Sequence, residues 1–329
     1  MNTLLNSLLS RDLAGVPLSP AHAETLLAAR GPDLAALIAV AHAMRLERCG
    51  RTVRLCGILN ARSGGCTEDC AFCAQARDSE AAVEAYALLE ADPIVAAARR
   101  GRAAGACRFS IVTSGRGMTR GRDLDRVCEA IRRIRDEVGV AVCASLGVLD
   151  RAALERLREA GLTRYHHNLE APPSLYGEIC TTHPIEERIT TARDARAVGL
   201  ELCCGGILGL GESPSQRIEL LLAIAELEPD AVPINFLEPI PGTGLADRPT
   251  LSPQEALAAV AVASLLVPEA ELILCGGREV TLRSLQPLAL LAGANGLMIG
   301  DYLTTPGQPP ERDIEMIRDL GLEALELER

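Results

Sequence analysis

The strongest constraint on this 329-residue chain is an alternation of short β-prone runs with amphipathic stretches, repeated eight times. The runs Thr52–Leu59, Cys107–Thr113, Val140–Leu146, Arg164–Glu170, Glu201–Leu208, Ala231–Leu237, Glu271–Gly276 and Gly296–Gly300 read as strands. Between them lie helical stretches with clear ends. Asp123–Val138 carries Leu124, Val127, Ile131 and Ile134 at helical intervals and stops at Gly139. Asp150 caps a helix that finishes at Gly161, and Ser213-Pro214-Ser215-Gln216 and Ser252-Pro253-Gln254-Glu255 are capping boxes. Further helices are expected from Asp92 to near Gly105, over Ile185–Val198 and near Glu311–Leu320. Strands separated by helices make a parallel sheet. Eight such units favour a closed (β/α)8 barrel of the TIM type over an open doubly wound sheet. Ser19-Pro20 and the apolar-rich Ala35–Leu46 make the first 50 residues helical. The chain therefore divides into a helical N-terminal cap over residues 1–50 and a barrel over residues 51–329, with no linker or internal repeat.

Composition narrows the classes of function. Hydrophobic residues make up 48% of the chain and aromatics only 2%, with no Trp, so Leu, Ala, Val and Ile must fill the core. The formal net charge is −11, and no basic stripe with interleaved aromatics occurs. Nucleic acid and anionic membrane are therefore not expected as partners. No run of 18 apolar residues is present, so no membrane-spanning segment is expected. The start, Met1-Asn2-Thr3-Leu4-Leu5, meets Arg11 and Asp12 without a cleavable apolar region. Twelve cysteines without an export signal point to a reducing compartment, the cytoplasm, and to metal or catalytic work.

Three of those cysteines, Cys66, Cys70 and Cys73, are spaced C-x3-C-x2-C in a loop that follows the first strand and opens on Gly64-Gly65. That spacing fits neither one helical face nor strand alternation. It suits a loop wrapped around a metal. Structural zinc and ordinary four-iron clusters take four protein ligands, so three cysteines leave one metal position open for reaction. A zinc loop that borrows a fourth ligand, and idle packed cysteines, are the plainer readings. Polar residues collect where a barrel keeps its chemistry, at the C-terminal ends of its strands. Asn168 and Glu170 end the fourth strand, Asn235 closes the sixth, and Arg188 opens the helix after the fourth. Side-chain parity lets Cys143, Cys203 and Cys275 meet inside the barrel, with packing as small hydrophobes as the alternative. Cys49, Cys56, Cys128 and Cys180 read as structural. The segment Gly205–Gly211 lacks the G-x-G-x-x-G order of a dinucleotide loop. Of the adjacent His166 and His167, only one is expected to face the interior.

The C-x3-C-x2-C loop, with Phe72 before its last cysteine, resembles the cluster loop of the radical S-adenosylmethionine (SAM) enzymes. The stretches GGCTEDCAFCAQ, YHHNLE, CGGILGLGE, VPINFLEPIPGTGL, CGGRE and DYLTTP, in that order over residues 52–306, resemble the biotin synthases within that superfamily. The resemblance implies a homodimeric (β/α)8 barrel that inserts sulfur into dethiobiotin, at carbon 9 and then at carbon 6. It implies a [4Fe-4S] cluster on Cys66, Cys70 and Cys73 that cleaves SAM, reduced by a donor such as flavodoxin or ferredoxin. It also implies an auxiliary cluster, [2Fe-2S] in the usual family, that gives up the sulfur. Carried over by position, Phe72 lies beside the adenine, Glu170 on the ribose and Arg188 near the SAM carboxylate. Asn168 and Asn235 match amides that recognise the ureido ring, and Thr304 and Thr305 match threonines near the substrate carboxylate. Cys143 and Cys203 match two auxiliary-cluster ligands. Two usual ligands are missing, because Ser110 stands for a cysteine and Ile273 for an arginine, and His166 replaces an asparagine. Cys275, two residues beyond Ile273 on the same face, implies a rearranged centre on Cys143, Cys203 and Cys275, with Cys204 or Cys107 as outside candidates for a fourth ligand. The alternatives are a related radical SAM enzyme that acts on another small molecule without sulfur insertion, as the hydrogenase-maturation relatives are thought to do, and a non-catalytic iron–sulfur or zinc scaffold.

Overall fold

The computed structural model describes residues 18–325, so residues 1–17 of the expected cap and 326–329 of the expected barrel range lie outside the described residues. The described chain enters through α1 (Pro20–Leu27) and α2 (Gly31–Cys49). Ser19 caps α1 by accepting a hydrogen bond from the His22 amide at 3.2 Å, and Pro20 supplies a first helical residue that needs no partner. Strands and helices then alternate: β1 (Thr52–Arg62), α3 (Ala91–Ala103), β2 (Arg108–Thr113), α4 (Arg122–Arg133), β3 (Ala141–Ser145), α5 (Arg151–Ala160) and β4 (Arg164–His166). The series continues with α6 (Tyr176–Ile179), α7 (Ile185–Ala197), β5 (Glu201–Cys203), β6 (Gly206–Leu208), α8 (Pro214–Ala225), β7 (Ala231–Phe236) and α9 (Pro253–Leu266). It ends with β8 (Glu271–Leu274), α10 (Arg278–Leu282), α11 (Gln286–Leu291), β9 (Gly296–Met298), α12 (Pro310–Asp319) and β10 (Glu323–Ala324).

The strands pair in parallel in the order β1-β2-β3-β4-β5-β7-β8-β9. β9 then pairs back to β1 through Arg54↔Gly296, Leu55↔Leu297 and Cys56↔Met298. The sheet closes on itself, as the alternation predicts, and closure removes its free edges. β10 lies outside the ring, beside Thr52 and Val53.

Three expectations need correction. The expected strand Glu201–Leu208 is one stave broken in two, with Cys203 opposite Ala231 and Gly206 opposite Ile234 in the same register. The break falls at Cys204-Gly205, where a Cβ on Gly205 would stand 2.0 Å from the Pro233 carbonyl oxygen. Strand four ends at His166 rather than Glu170. Past it the chain stays tied to the next stave by His167 N to Cys203 O and Leu169 N to Gly205 O, each 2.9 Å, while Glu170 turns into the left-handed region at φ 67°. Finally, three short helices were not anticipated, because α6, α10 and α11 have only 4, 5 and 6 residues and show no full period.

The capping boxes at Ser213 and Ser252 are both formed, and Gly139 ends α4 and its π-helical continuation at φ 73°. The shortage of aromatics is met in α9. Every residue from Ala256 to Ala263 is at most 1% exposed, because α9 lies under α1 and α2 and is packed on several sides. Small side chains let those backbones approach closely, and an all-round apolar helix can be covered on every face.

Candidate active site

The cysteine loop leaves the top of β1. Gly64 and Gly65 carry φ values of 69° and 59°, and a Cβ on Gly64 would meet the Ala85 Cβ at 2.7 Å, so the turn needs glycine there. Gln75 holds the turn from inside, its Oε1 accepting from the Gly64 amide at 2.9 Å and from Asn60 Nδ2 at 3.3 Å. The loop then folds on itself through Cys73 N to Cys70 O at 2.9 Å and Arg77 N to Glu68 O at 2.9 Å.

A second segment, Tyr176–His183, clasps the loop from outside. Ala71 N donates to Ile179 O at 2.9 Å, and Asp69 accepts from the Thr181 and Thr182 amides at 2.9 and 3.2 Å. Burial opposes the Asp69 charge, but these bonds and those from the threonine hydroxyl outweigh it and hold its pKa far below the usual range. Glu68 Oε2 accepts from Thr182 Oγ1 at 2.7 Å, His183 Nδ1 at 2.6 Å and Arg116 Nη1 at 3.2 Å. The directions along this chain are set from one end. Arg188 Nε can only donate, so Tyr176 accepts at 2.7 Å and passes its own proton to His183 Nε2 at 2.8 Å. His183 therefore carries its proton on Nδ1, toward Glu68. Burial and then Arg188 lower the His183 pKa against the pull of Glu68, which keeps the ring neutral. Burial would raise Glu68, yet its hydrogen bonds from Thr182, Thr67 and His183 bring it below its usual value. Sequence reasoning missed Glu68, Tyr176 and His183: Glu68 meets His183 only across 115 residues, and Tyr176 and His183, seven apart, match no motif.

The loop roofs a cavity of about 390 Å³ at the C-terminal end of the barrel. Its wall contains Cys66, Cys70, Cys73, Phe72, Asn168, Glu170, Arg188, Asn235, Cys275, Thr304 and Thr305. Both His166 and His167 also reach the wall, which corrects the expectation that only one faces inward. The strand alternation behind that expectation stops at His166. Burial pushes the Glu170 carboxyl up, opposed by Arg188 and by Asn168, whose Nδ2 donates to it at 3.3 Å. Burial also works against the Arg188 charge, but Glu170 and Tyr176 outweigh it and raise its pKa. The two asparagines are locked by backbone. Asn168 Oδ1 accepts from Gly205 N at 3.0 Å. Asn235 Oδ1 accepts from Gly276 N at 3.2 Å, and its Nδ2 donates to Gly206 O at 3.3 Å. A primary amide has four hydrogen-bonding positions, so each asparagine keeps capacity for a ligand.

Beneath the cavity lies a layer of sulfur. Cys56, Cys203 and Cys275 form one buried cluster with Ala231, Ile273 and Met298, and Cys143, 1% exposed, enters from β3 opposite Ser110 and Arg164. Cys56, expected to be structural, is thus part of the interior. The outside candidates are not. Cys204 belongs to the outer core among the helices, and the Cys107 thiol donates to Leu55 O at 3.4 Å. Below the sulfurs the barrel is floored by ion pairs: Arg108 with Glu201 at 3.0 Å, Arg164 with Glu201 and Glu271 at 2.8 Å each, and Arg54 with Glu271 at 3.2 Å. Arg164 is 2% exposed. Arg108 Nη1 is buried with no hydrogen-bond partner, and the same guanidinium lies beside the Cys143 thiol.

Among the described residues, no three His, Cys, Asp or Glu side chains are gathered tightly enough to hold an ion as they stand. The Cys70 thiol is turned toward Cys180. A cysteine sulfur swings on a single rotatable bond between staggered positions, so convergence needs side-chain rotation rather than a new backbone. The donor chemistry fits the expected groups: three thiols on one loop lining a common cavity suit a thiolate-held cluster with an open position. The usual auxiliary set does not fit, because Ile273 has no lone pair and Ser110 Oγ is engaged with His166 Nδ1 at 3.2 Å.

Comparison with known proteins places this arrangement. Residues 61–224 match the Radical SAM superfamily and residues 233–323 match the Biotin and Thiamin Synthesis associated domain. The same fold occurs in the crystal structure of methylornithine synthase, with a TM-score of 0.83 at 19% identity over 98% of both chains. It occurs also in the FeFe-hydrogenase maturase HydG from Carboxydothermus hydrogenoformans, with a TM-score of 0.81 at 18% identity over 98% of this chain and 78% of that one. The barrel and its cysteine loop thus define a radical SAM enzyme. The biotin synthase of Geobacter sulfurreducens is 47% identical over 96% of both chains, and that of Geobacter metallireducens is 46% identical over 98% of both. The chain belongs to the biotin synthase family. No helix among the described residues is long and apolar enough to cross a membrane.

Proposed function

We propose that this chain converts dethiobiotin to biotin by radical sulfur insertion. The observation that carries the reading is one cavity walled both by the three loop cysteines and by the backbone-locked amides of Asn168 and Asn235. Cys66, Cys70 and Cys73 would hold a [4Fe-4S] cluster, which when bound and reduced supplies the electron that cleaves SAM. Glu170, kept beside Arg188, accepts from the ribose hydroxyls, and Arg188 balances the SAM carboxylate. Phe72 offers an apolar face to the adenine. The amides of Asn168 and Asn235 present donor and acceptor to a urea, which needs both, and the Thr304 and Thr305 hydroxyls take the substrate carboxylate. The sulfur comes from an auxiliary iron–sulfur centre held by Cys143, Cys203 and Cys275. A flavodoxin- or ferredoxin-type donor, a homodimer and a cytoplasmic location complete the reading, all on family resemblance.

The test is product analysis after anaerobic reconstitution with iron and sulfide, given SAM, dethiobiotin and a strong reductant. Biotin together with 5′-deoxyadenosine is the expected result. The cysteine and arginine ligands missing at Ser110 and Ile273 favour a second reading, a related enzyme that makes the radical but inserts no sulfur. Deoxyadenosine without biotin, with the inner centre filled, would establish that reading instead.

A further inference from the structure

Four cysteines from four separate staves point into the space between the cavity and the ion-pair floor: Cys56 on β1, Cys143 on β3, Cys203 on β5 and Cys275 at the end of β8. None is more than 6% exposed. Cys56 faces Met298 across the strand pair that closes the barrel, and it shares one buried cluster with Cys203 and Cys275. Four thiols brought into one buried space supply the soft donor set that an iron–sulfur centre takes.

The surroundings favour such a cation-and-thiolate assembly. Three guanidiniums, Arg54, Arg108 and Arg164, face two carboxylates, Glu201 and Glu271, in the floor. One positive charge is left over beneath the sulfurs. Arg108 Nη1, buried without a partner beside Cys143, is a free donor for a sulfur acceptor. Cys275 also lines the reaction cavity, so the thiol set opens on the site where substrate chemistry occurs. A structural zinc would be closed off.

We infer that Cys56 is a ligand of the inner iron–sulfur centre, which is held by Cys56, Cys143, Cys203 and Cys275 in place of a set using the positions of Ser110 and Ile273. The inference rests on the second centre proposed above and adds to it the fourth ligand. Neither Cys204 nor Cys107 takes part.

The test first removes the loop site. The triple variant Cys66→Ala/Cys70→Ala/Cys73→Ala, reconstituted anaerobically with iron and sulfide, reports the inner centre alone. Iron, zinc and acid-labile sulfide are counted, and Mössbauer and electron paramagnetic resonance spectra are recorded. Adding Cys56→Ala should lower bound iron and sulfide by half or more, whereas adding Cys204→Ala or Cys107→Ala should leave both unchanged. Circular dichroism checks folding. If Cys56→Ala unfolds, Cys56→Ser keeps the volume and must shift the resonance signal by exchanging sulfur for oxygen. Iron content and spectra unaffected by either Cys56 substitution would overturn the inference, as would zinc without sulfide in the parent. A triple variant that binds no iron at all removes the inner centre and this inference with it. Failure to make biotin with the four-thiol centre intact would overturn the proposed activity and leave the ligand set standing.

Discussion

Glu68 lies between the first two loop cysteines and accepts four hydrogen bonds, so its removal should loosen the loop in a measurable way. Glu68→Ala strips partners from His183 Nδ1 and Thr182 Oγ1, at 2.6 and 2.7 Å, and from Arg116. Hydrogen bonds to a charged group are worth about 1.5–3 kcal/mol each. Arg116 has 43% of its side chain exposed, and an exposed pair adds about 0–1 kcal/mol. Together the loss is roughly 3–7 kcal/mol in the closed loop, or on the order of 10²–10⁵ in its opening equilibrium. Glu68→Gln keeps an acceptor toward the same donors and turns its NH2 to the Thr67 hydroxyl, so it should lose roughly 1–3 kcal/mol. The assay is amide hydrogen exchange at Ala71 and Arg77, whose N–H groups bond Ile179 O and Glu68 O. Protection should fall steeply in Glu68→Ala and modestly in Glu68→Gln. Unchanged protection in Glu68→Ala would refute the account of how the loop is held.

Other expectations follow from the same geometry. His183 has a folded pKa below its unfolded value of 6.5, so its contribution is complete above that value and is lost as pH falls. His183→Gln should flatten the drop in thermal stability as pH falls below about 6.5, and an unchanged pH profile would count against a buried neutral ring. Cys275→Ala should lower iron content and abolish biotin formation while deoxyadenosine is still made; full iron content in the variant would argue against ligation. Asn235→Ala should raise the dethiobiotin KM by about 10–100-fold, from about 1–3 kcal/mol of lost hydrogen bonding, with SAM binding unaffected. An equal KM would separate Asn235 from the substrate. Gly205→Ala forces a Cβ against the Pro233 carbonyl and should cost at least about 1–3 kcal/mol in unfolding experiments; an unchanged melting temperature would mean the stave can relax there.

Much of this architecture was legible because its signals are local. Ser213 and Ser252 announce helices within four residues, and eight strand–helix units leave few folds other than a ring. The cysteine loop was equally plain, since its spacing lies within eight residues. What the sequence did not disclose depends on closure. Cys56 becomes a neighbour of Cys203 and Cys275 only when β9 returns to β1, so its strand position alone looks like ordinary packing. His183 and Glu68 are 115 residues apart, and no periodicity links them. Glu170 continues the alternation of its strand on paper, but the regular strand ends at His166, and Glu170, bridged to Gly206 with a left-handed φ of 67°, carries a carboxylate that Arg188 holds down against burial.

The paired charges at the base of the barrel have a consequence for traffic. With Arg108, Arg164, Glu201 and Glu271 interlocked there, ion pairs bridge the base of the barrel, and the cavity lies toward the other end. Iron and sulfide bound for the proposed inner centre would then arrive from the side that admits SAM and the substrate. On that reading, loading the centre and running the reaction would compete for one passage, and a centre that gives up its sulfur would be refilled only through an emptied cavity.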